Sequence, residues 1–511
     1  MPNLLLKEAQ VEEQWPRLRK HLIQLEVIQL IPEAMARKYS VMPLEVNGNV
    51  LRVAMANPAD ILALEALAIW SEMHIVPVAA SAEEIQEAID FNYQSYDEIE
   101  KQISAISLPS ETTEEQITPD TVADAPVAKV LTLVINEAIK ARASDIHLQP
   151  EEDNLRVRYR IDGTLHDTLS LPLATATLLI SRIKILANMN IADHHRPQDG
   201  QFSVKPKGHQ EIDIRVGTIP TVYGEMAALR LLDRRRAIMT LSQLGFLQES
   251  EAKYEEMLKT PYGMILVSGP TGAGKTTTLY ASVNSLDYNG RNIITIEDPV
   301  EYRFKSINQI QVNPRAGLTF ASGLRSIVRL DPDVILVGEI RDSETANIAI
   351  QSALTGHLVL SSIHANDAIG VLFRLLDLGI EPFLVASALI GIVAQRMTRR
   401  ICPDCRQLVN APLVEQMAYG KETGEERSEF LSGSGCKSCA YTSYQGRTGI
   451  FEILQITDEI RTMLLNGATA TQLQTQAIKE GMIPLIRDGM LKVKANITTP
   501  AEVLRNAYSI D

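Results

Sequence analysis

Residues 264–278 read Met264-Ile-Leu-Val-Ser268-Gly269-Pro270-Thr271-Gly272-Ala273-Gly274-Lys275-Thr276-Thr277-Thr278. An apolar run of strand length ends at Ser268, the pattern G-x-x-x-x-G-K-T follows, and the residues after it can continue as a helix. The strand before and the helix after make the pattern a phosphate-binding loop rather than a chance glycine-rich turn. Glycines let backbone N–H groups crowd around phosphate oxygens, and the N-terminus of the following helix adds partial positive charge. On this reading Gly269, Pro270, Thr271, Gly272, Ala273, Gly274, Lys275, Thr276 and Thr277 hold a nucleotide. Lys275 reaches the β- and γ-phosphates, and the Thr276 hydroxyl sits on Mg2+.

Downstream, apolar runs alternate with stretches of helical composition. Asn292-Ile-Ile-Thr-Ile-Glu297-Asp298-Pro-Val-Glu301-Tyr is a buried strand followed by carboxylates. Asp333-Val-Ile-Leu-Val-Gly338-Glu339-Ile-Arg341-Asp is a second such strand, resembling a Walker B run without its usual Asp; Glu339 is the carboxylate that follows it instead. Thr355-Gly-His357-Leu-Val-Leu-Ser-Ser-Ile-His364 is a third, flanked by histidines. Strands alternating with helices predict a mostly parallel sheet with helices on both faces and the ligand at the carboxyl ends of the strands. Hydrolysis of a nucleoside triphosphate needs an in-line water, a carboxylate to orient it, Mg2+, and cations around the γ-phosphate. Glu301 and Glu339 are the carboxylate candidates, with a helix cap or a structural anion as the alternative for each. His357 and His364 are candidates for sensing phosphate or carboxylate, or else hydrogen-bonded structural residues. The expected catalytic group is Lys275, Glu301, Glu339 and His364.

Charge limits the partners. With 63 acidic against 49 basic residues the formal net charge is −14. Tracking along a nucleic-acid backbone calls for clustered Lys and Arg, so no nucleic-acid partner is expected. A hydrophobic content of 45% and a charged content of 22% are those of globular protein, and the length suffices for about three or four domains. Met1-Pro-Asn-Leu-Leu-Leu-Lys-Glu turns charged too soon for a signal peptide. The most membrane-like stretch, Phe383 to Ala394, falls well short of the roughly 20 residues of a spanning helix and reads as a buried core helix. The expectation is a soluble, cytoplasmic protein that meets a membrane only through a partner.

Toward the N-terminus, residues 1–97 read as a small α/β domain. Trp15 to Ile31 has helical spacing, Val46-Asn-Gly-Asn-Val50 is a turn between strands, and Ser81 with Glu84 forms a capping-box pattern. Residues 98–126 are polar, acidic and punctuated by proline, the composition of a flexible linker spanning roughly 30 Å. Residues 127–237 contain Leu155-Arg-Val-Arg-Tyr-Arg-Ile161, whose alternation puts Arg156, Arg158 and Arg160 on one face. That face is either a solvated sheet surface or a cationic surface beside the nucleotide. Toward the C-terminus, Cys402-Pro-Asp-Cys405 and Cys436-Lys-Ser-Cys439 use all 4 cysteines of the chain. Two C-x-x-C knuckles read as a structural tetracysteine Zn2+ site, with redox dithiols as the alternative.

Together, the phosphate loop, Glu297-Asp-Pro-Val-Glu301, Asp331-Pro-Asp333 with Gly338-Glu339-Ile-Arg341-Asp342, and Thr355-Gly-His357 with His364 resemble the secretion ATPase superfamily. More narrowly, they resemble the type II secretion and type IV pilus assembly ATPases. The resemblance continues through Ala143-Ser-Asp-Ile-His147, Arg160-Ile-Asp-Gly163 and Pro197-Gln-Asp-Gly200, and covers residues 126–511. It implies an α/β multidomain chain with a RecA-like parallel-sheet core, a PAS-like α/β middle domain, a small α/β N-terminal domain and a zinc-binding insert. The implied domains are 1–97, the linker 98–126, 127–237, the ATPase core 238–397, the tetracysteine subdomain 398–450, and helices at 451–511. The resemblance also implies a homohexamer that binds ATP between the middle domain and the core. By position, it makes Glu301 the water-activating residue and Glu339 the residue that holds Mg2+ through water. Arg215 and Arg230 would close on the phosphates, with Arg325 and Arg329 at subunit and nucleotide interfaces. Arg447, in Gly446-Arg447-Thr-Gly449, is a candidate for coupling the insert to the nucleotide. The implied work is assembly of a type IV pilus or a type II secretion pseudopilus with an inner-membrane platform protein, the N-terminal domain binding a membrane-anchored or cytoplasmic adaptor. A retraction motor is the rival within the superfamily, but its members generally lack the tetracysteine insert and the long N-terminal extension. A cyclic-dinucleotide receptor is the rival outside it, and residues 1–97 lack the Arg-Leu-Gly repeat such receptors use.

Overall fold

The computed structural model describes residues 27–28, 30–90, 93, 126–206, 211–232, 239–286, 290–439 and 442–507. Nearly all of the expected linker, and most of the helix expected from Trp15 to Ile31, lie outside them. The chain falls into two compact units, one up to Asp233 and one from Arg234 onward, residues 440–442 excepted.

In the first unit, β1 (Val41–Asn47) and β2 (Val50–Met55) pair as a hairpin, and Gly48 takes the positive φ that its turn requires. β3 (His74–Ala79) adds in parallel after the helix Ile61–Ser71. Ser81 and Glu84 form the capping box: the Glu84 N–H donates to the Ser81 hydroxyl at 3.2 Å and the Ser81 N–H to the Glu84 carboxylate at 3.3 Å. Further along, β4 (Ala143–Pro150), β5 (Asn154–Ile161), β6 (Thr164–Pro172), β7 (Gln198–Val204), β8 (Ile212–Thr221) and β9 (Gly224–Leu232) form one antiparallel sheet of order β6-β5-β4-β9-β8-β7. Alternation separates its faces. Leu155, Val157, Tyr159 and Ile161 are buried in a core shared with the helices Pro126–Lys140 and Ala174–Leu186, leaving Arg156, Arg158 and Arg160 on the other face.

The second unit holds β10 (Gly263–Ser268), β11 (Ile293–Glu297), β12 (Asn308–Gln311), β13 (Val334–Val337), β14 (Leu358–Ile363), β15 (Leu389–Ile401), β16 (Arg406–Asn410), β17 (Glu429–Gly433) and β18 (Tyr444–Gln455). Seven of these make a sheet of order β12-β11-β13-β14-β10-β15-β18, parallel throughout except for β18 against β15. The continuous apolar runs follow from two-sided burial. On β10, Met264 and Leu266 enter the core shared with helices Ser343–Leu354 and Ala368–Asp377, while Ile265 and Val267 enter the one shared with Gln248–Lys259 and Lys275–Ser285.

The stretch Phe383–Ala394, expected as one buried helix, divides in two. Pro382–Ala388 is helical, and Leu389 starts β15, which lies inside the sheet between β10 and β18. A short run that is apolar on both faces does not by itself distinguish an internal strand from a core helix. β15 reaches Ile401 and β18 begins at Tyr444, so the boundaries expected at 397/398 and 450/451 fall inside strands. The intervening chain, 402–443, is inserted between two neighbouring strands.

Helices Asp458–Leu465, Ala470–Lys479, Leu485–Lys494 and Pro500–Ala507 complete the unit. A buried pair pins the third of them to β18: Lys492 Nζ lies 2.5 Å from Asp488 and donates to the Gly449 carbonyl at 2.7 Å, while the Phe451 N–H donates to Asp488 at 3.0 Å. Glu452, also on β18, is buried and accepts from the Ala368 N–H at 2.8 Å. Burial pushes its carboxyl up to about 7 from an ordinary 4.5. The folded value lies above the unfolded one, so this contribution to stability is full below about pH 4.5 and is lost as pH rises through about 7. The shift is worth on the order of 3 kcal/mol at most. Glu452→Gln should therefore gain melting temperature relative to wild type between about pH 5 and pH 8; a constant difference over that range contradicts the assignment. Among the described residues no helix is long and apolar enough to cross a membrane.

Candidate active site

The phosphate loop leaves β10 at Ser268 and enters the helix Lys275–Ser285 through Gly274, which has φ +88°. Gly269 has φ +146°, and a Cβ there would lie 2.4 Å from the Gln395 carbonyl oxygen, so only glycine fits between the loop and β15. Lys275 Nζ donates to the carbonyls of Gly269 and Pro270 at 2.6 and 3.2 Å. Thr276, exposed in the first turn, and Thr277 follow it. The loop is a concave run of backbone at a helix N-terminus, with an ammonium folded over it, and it fits a polyphosphate.

Register brings three more strand ends to the same edge. Ser268 pairs with Ile363, Ser361 with Val337, and Val337 with Ile296. His364, Glu339 and the Glu297–Glu301 segment thus all emerge at the carboxyl edge of the sheet, as Lys275 does. The Glu339 carboxylate is 2.5 Å from Arg341 Nη2 and 3.6 Å from His364 Nε2. Burial holds the Lys275 ammonium below its ordinary value, opposed by the charge of Glu339. Burial, and then the Lys275 charge, lower the His364 imidazole below 6.5. At neutral pH that imidazole is therefore neutral and can accept as well as donate a hydrogen bond. Lys275, Glu339 and His364 form one electrostatically coupled group, and Glu301 stands on the loop that leaves β11 at the same edge.

The other expected residues lie elsewhere. His357 precedes β14 at the opposite edge, where its carbonyl accepts from the Gly263 N–H at 3.1 Å and its Nδ1 lies 2.8 Å from the Ser352 carbonyl. Seven strand steps separate it from His364, roughly 23 Å along the chain. His357 is held by the helix end beside it and does not join the Lys275 group. Arg325 pairs with Glu344, and Arg329 is exposed just past the helix Phe320–Ile327. Neither joins the Lys275 group.

In the first unit, Arg215 and Arg230 face each other directly across β8 and β9. Asp145 is opposite Arg230 on the next strand and Arg160 is opposite Asp145 on the one after. Asp145 takes the Arg230 Nε–H at 3.0 Å and lies 3.7 Å from Arg160 Nε. Three arginines and one aspartate thus share a cross-strand row.

The four cysteines converge, with all their sulfurs within 4.8 Å of one another. Cys402 to Cys436 is 3.7 Å, Cys405 to Cys439 is 3.9 Å and Cys436 to Cys439 is 3.8 Å. A tetrahedral ion with Zn–S bonds of about 2.3 Å requires S···S edges of about 3.8 Å, whereas a disulfide bond is about 2 Å. The donors and the spacing fit zinc.

Two supporting residues were not foreseen. Buried Gln395 on β15 donates to the Ala273 carbonyl at 2.6 Å and accepts from the Thr278 hydroxyl at 2.7 Å, clamping the phosphate loop from behind. Arg396 beside it donates to the Asn366 carbonyl at 2.7 Å and adds positive charge near Lys275. A polar pair ending an apolar run was the available signal, and it was hidden once that run had been read as a helix.

Residues 120–505 match the family described as "Type II/IV secretion system protein", and residues 14–98 match the MshEN domain. The chain is 40% identical over 492 residues to the type IV pilus assembly ATPase PilB of Myxococcus xanthus, covering 95% of this chain and 87% of that one. It is 46% identical over 383 residues to the type II secretion system protein E of Dickeya dadantii, covering 75% and 76%. Among solved structures, the ATPase DotB of Legionella pneumophila superposes with a TM-score of 0.56 at 19% identity, covering 78% of this chain and 97% of that one, a likeness of fold.

Proposed function

The chain belongs to the family of type II/IV secretion system proteins, and from that premise we propose a homohexameric motor, cytoplasmic and peripheral to the inner membrane. It is an ATP hydrolase of the pilus-assembly and type II secretion kind. The observation that carries this reading is the grouping of Lys275, Glu339 and His364 beside the phosphate loop.

In this reading ATP is cradled by residues 269–277, and the Lys275 ammonium takes the β- and γ-phosphate oxygens. Thr276 and Glu339 hold Mg2+, which when bound offsets phosphate charge. Glu301 orients the attacking water, while His364, 3.6 Å from Glu339, senses the phosphate beyond it. Arg215 and Arg230, on a PAS-like middle domain, supply cations for the phosphates, and Arg325 and Arg329, on the RecA-like core, serve subunit and nucleotide interfaces. A trans-acting arginine is worth about 10³–10⁵ in turnover in phosphate-loop enzymes, which makes assembly of the ring part of catalysis. Residues 402–443 carry structural zinc. The N-terminal domain binds an adaptor, and the motor drives a membrane platform protein.

Purified protein with Mg2+ and Zn2+ should form hexamers and release phosphate from ATP. Lys275→Ala should slow release by about 10²–10³, the usual effect of losing one charge-stabilising donor. A protein that stays monomeric and releases no phosphate even with its membrane platform present overturns the proposal.

A further inference from the structure

We infer that Tyr280 is a positioning residue for hydrolysis, its phenol tying the loop that carries Glu301 to the helix that begins at the phosphate loop. The inference rests on Glu301 being the water-orienting carboxylate. Tyr280 lies five residues after Lys275 on the helix Lys275–Ser285 and is buried. Its O–H donates to the carboxylate of Glu297, the last residue of β11. The phenol oxygen accepts from the Glu301 N–H at 3.2 Å and also from the N–H of Tyr302. A phenol has one proton to give and two lone pairs to fill. Here all three sites are used, and both lone pairs serve the backbone around Glu301.

The remaining bonds extend the same tether. Glu297 accepts from the Thr295 hydroxyl at 2.6 Å and from Gln309 Nε2 at 3.2 Å. Gln309 in turn donates to the Tyr302 carbonyl at 2.9 Å and accepts from the Phe304 N–H at 2.8 Å. The Tyr280 ring meets Phe304 edge-on, with centroids 5.0 Å apart. Burial and the charge of Glu297 push the phenol's pKa well up, so its proton stays in place as a donor. Tyr280 and Gln309 thus both hold the segment 301–304, and of the two Tyr280 belongs to the helix that begins at the phosphate loop. The Glu301 backbone is thereby bonded to the helix that carries Lys275.

Tyr280→Phe keeps the ring and removes one oxygen, leaving two loop N–H groups and one carboxylate oxygen without that partner. A displacement of about 1 Å in a reacting group costs on the order of 10² in rate. The test is carried out on the full-length assembled protein. Tyr280→Phe is expected to lose at least tenfold in kcat, with KM for ATP and nucleotide affinity within about twofold of wild type. Tyr254→Phe is the control for losing a buried phenol. Its hydroxyl bonds Ser282 at 2.7 Å on the same helix and does not touch the 301–304 segment, so its turnover should be unchanged. Tyr280→Phe added to Glu301→Gln should cost nothing further, because the tether acts through Glu301. If Tyr280→Phe does not assemble, Gln309→Met removes the other tether and should give the same loss in kcat alone. Wild-type kcat in Tyr280→Phe beside an inactive Glu301→Gln overturns this inference and leaves the Glu301 assignment standing. So does a double variant slower than Glu301→Gln by the full single-variant factor. Normal turnover in Glu301→Gln overturns the Glu301 assignment, and this inference with it.

Discussion

Glu301→Gln should lower turnover at saturating ATP by about 10²–10⁴, the range for removing a group that accepts a proton from the attacking nucleophile. Nucleotide affinity should stay within about twofold. The amide keeps the size of the side chain and loses both its charge and its basicity, so binding and chemistry should separate. Two carboxylates compete for the role. Glu339 follows β13, is coupled to Lys275 and sits 3.6 Å from His364. Such a carboxylate is placed to hold a cation against the phosphates. Glu301 follows β11 on a loop whose backbone is bonded by Tyr280. Glu339→Gln should accordingly raise the Mg2+ concentration needed for half-maximal activity, a shift that Glu301→Gln should not show. Phosphate release and equilibrium binding of a fluorescent ATP analogue, measured on assembled protein across a magnesium series, read both effects. If Glu301→Gln stays within about threefold of wild-type turnover and Glu339→Gln is inactive at every magnesium concentration, the two roles are reversed.

Much of this site was legible because it is local in sequence. Lys275 and Thr276 are set by the loop, and Glu339 and His364 each end an apolar run whose strand character follows from two-sided burial. What the sequence did not reveal depends on which strands are neighbours. Gln395 matters because β15 lies beside β10, and that adjacency is a property of sheet order. His357 looked equivalent to His364, being at the other end of the same run. A strand has two ends, however, and only the carboxyl one faces the phosphate loop. Nothing in the order of residues showed that the one polar atom of Tyr280 meets the Glu301 segment. In the first unit the alternating arginines of β5 were readable, whereas the row Arg160–Asp145–Arg230–Arg215 required the register of four strands drawn from distant parts of the chain.

Replacing Cys405 with Ser should remove bound zinc and open the segment 402–443 to protease, while leaving ATP binding intact. Without an ion the segment has little to hold it together. β16 and β17 are five residues each and pair only with one another, and an isolated two-stranded hairpin is marginal in water. Tyr419 and Phe430 supply its apolar core, which is completed by Met490, Val493 and Val503 from the C-terminal helices. Four thiolates on one ion contribute on the order of 10 kcal/mol to folding such a module, far more than this small core supplies. The phosphate loop is braced instead by Gln395, which lies well inside the β15–β18 pairing that runs from Gly391–Gln455 to Ile401–Tyr444. Loss of zinc should therefore loosen the far end of these strands and spare the loop. Metal analysis should find one zinc per chain in the wild type and almost none in Cys405→Ser. Limited proteolysis should cut the variant, or chelator-treated wild type, within 402–443. Redox dithiols predict something different: no bound metal, and a protease pattern that changes with reductant rather than with chelator.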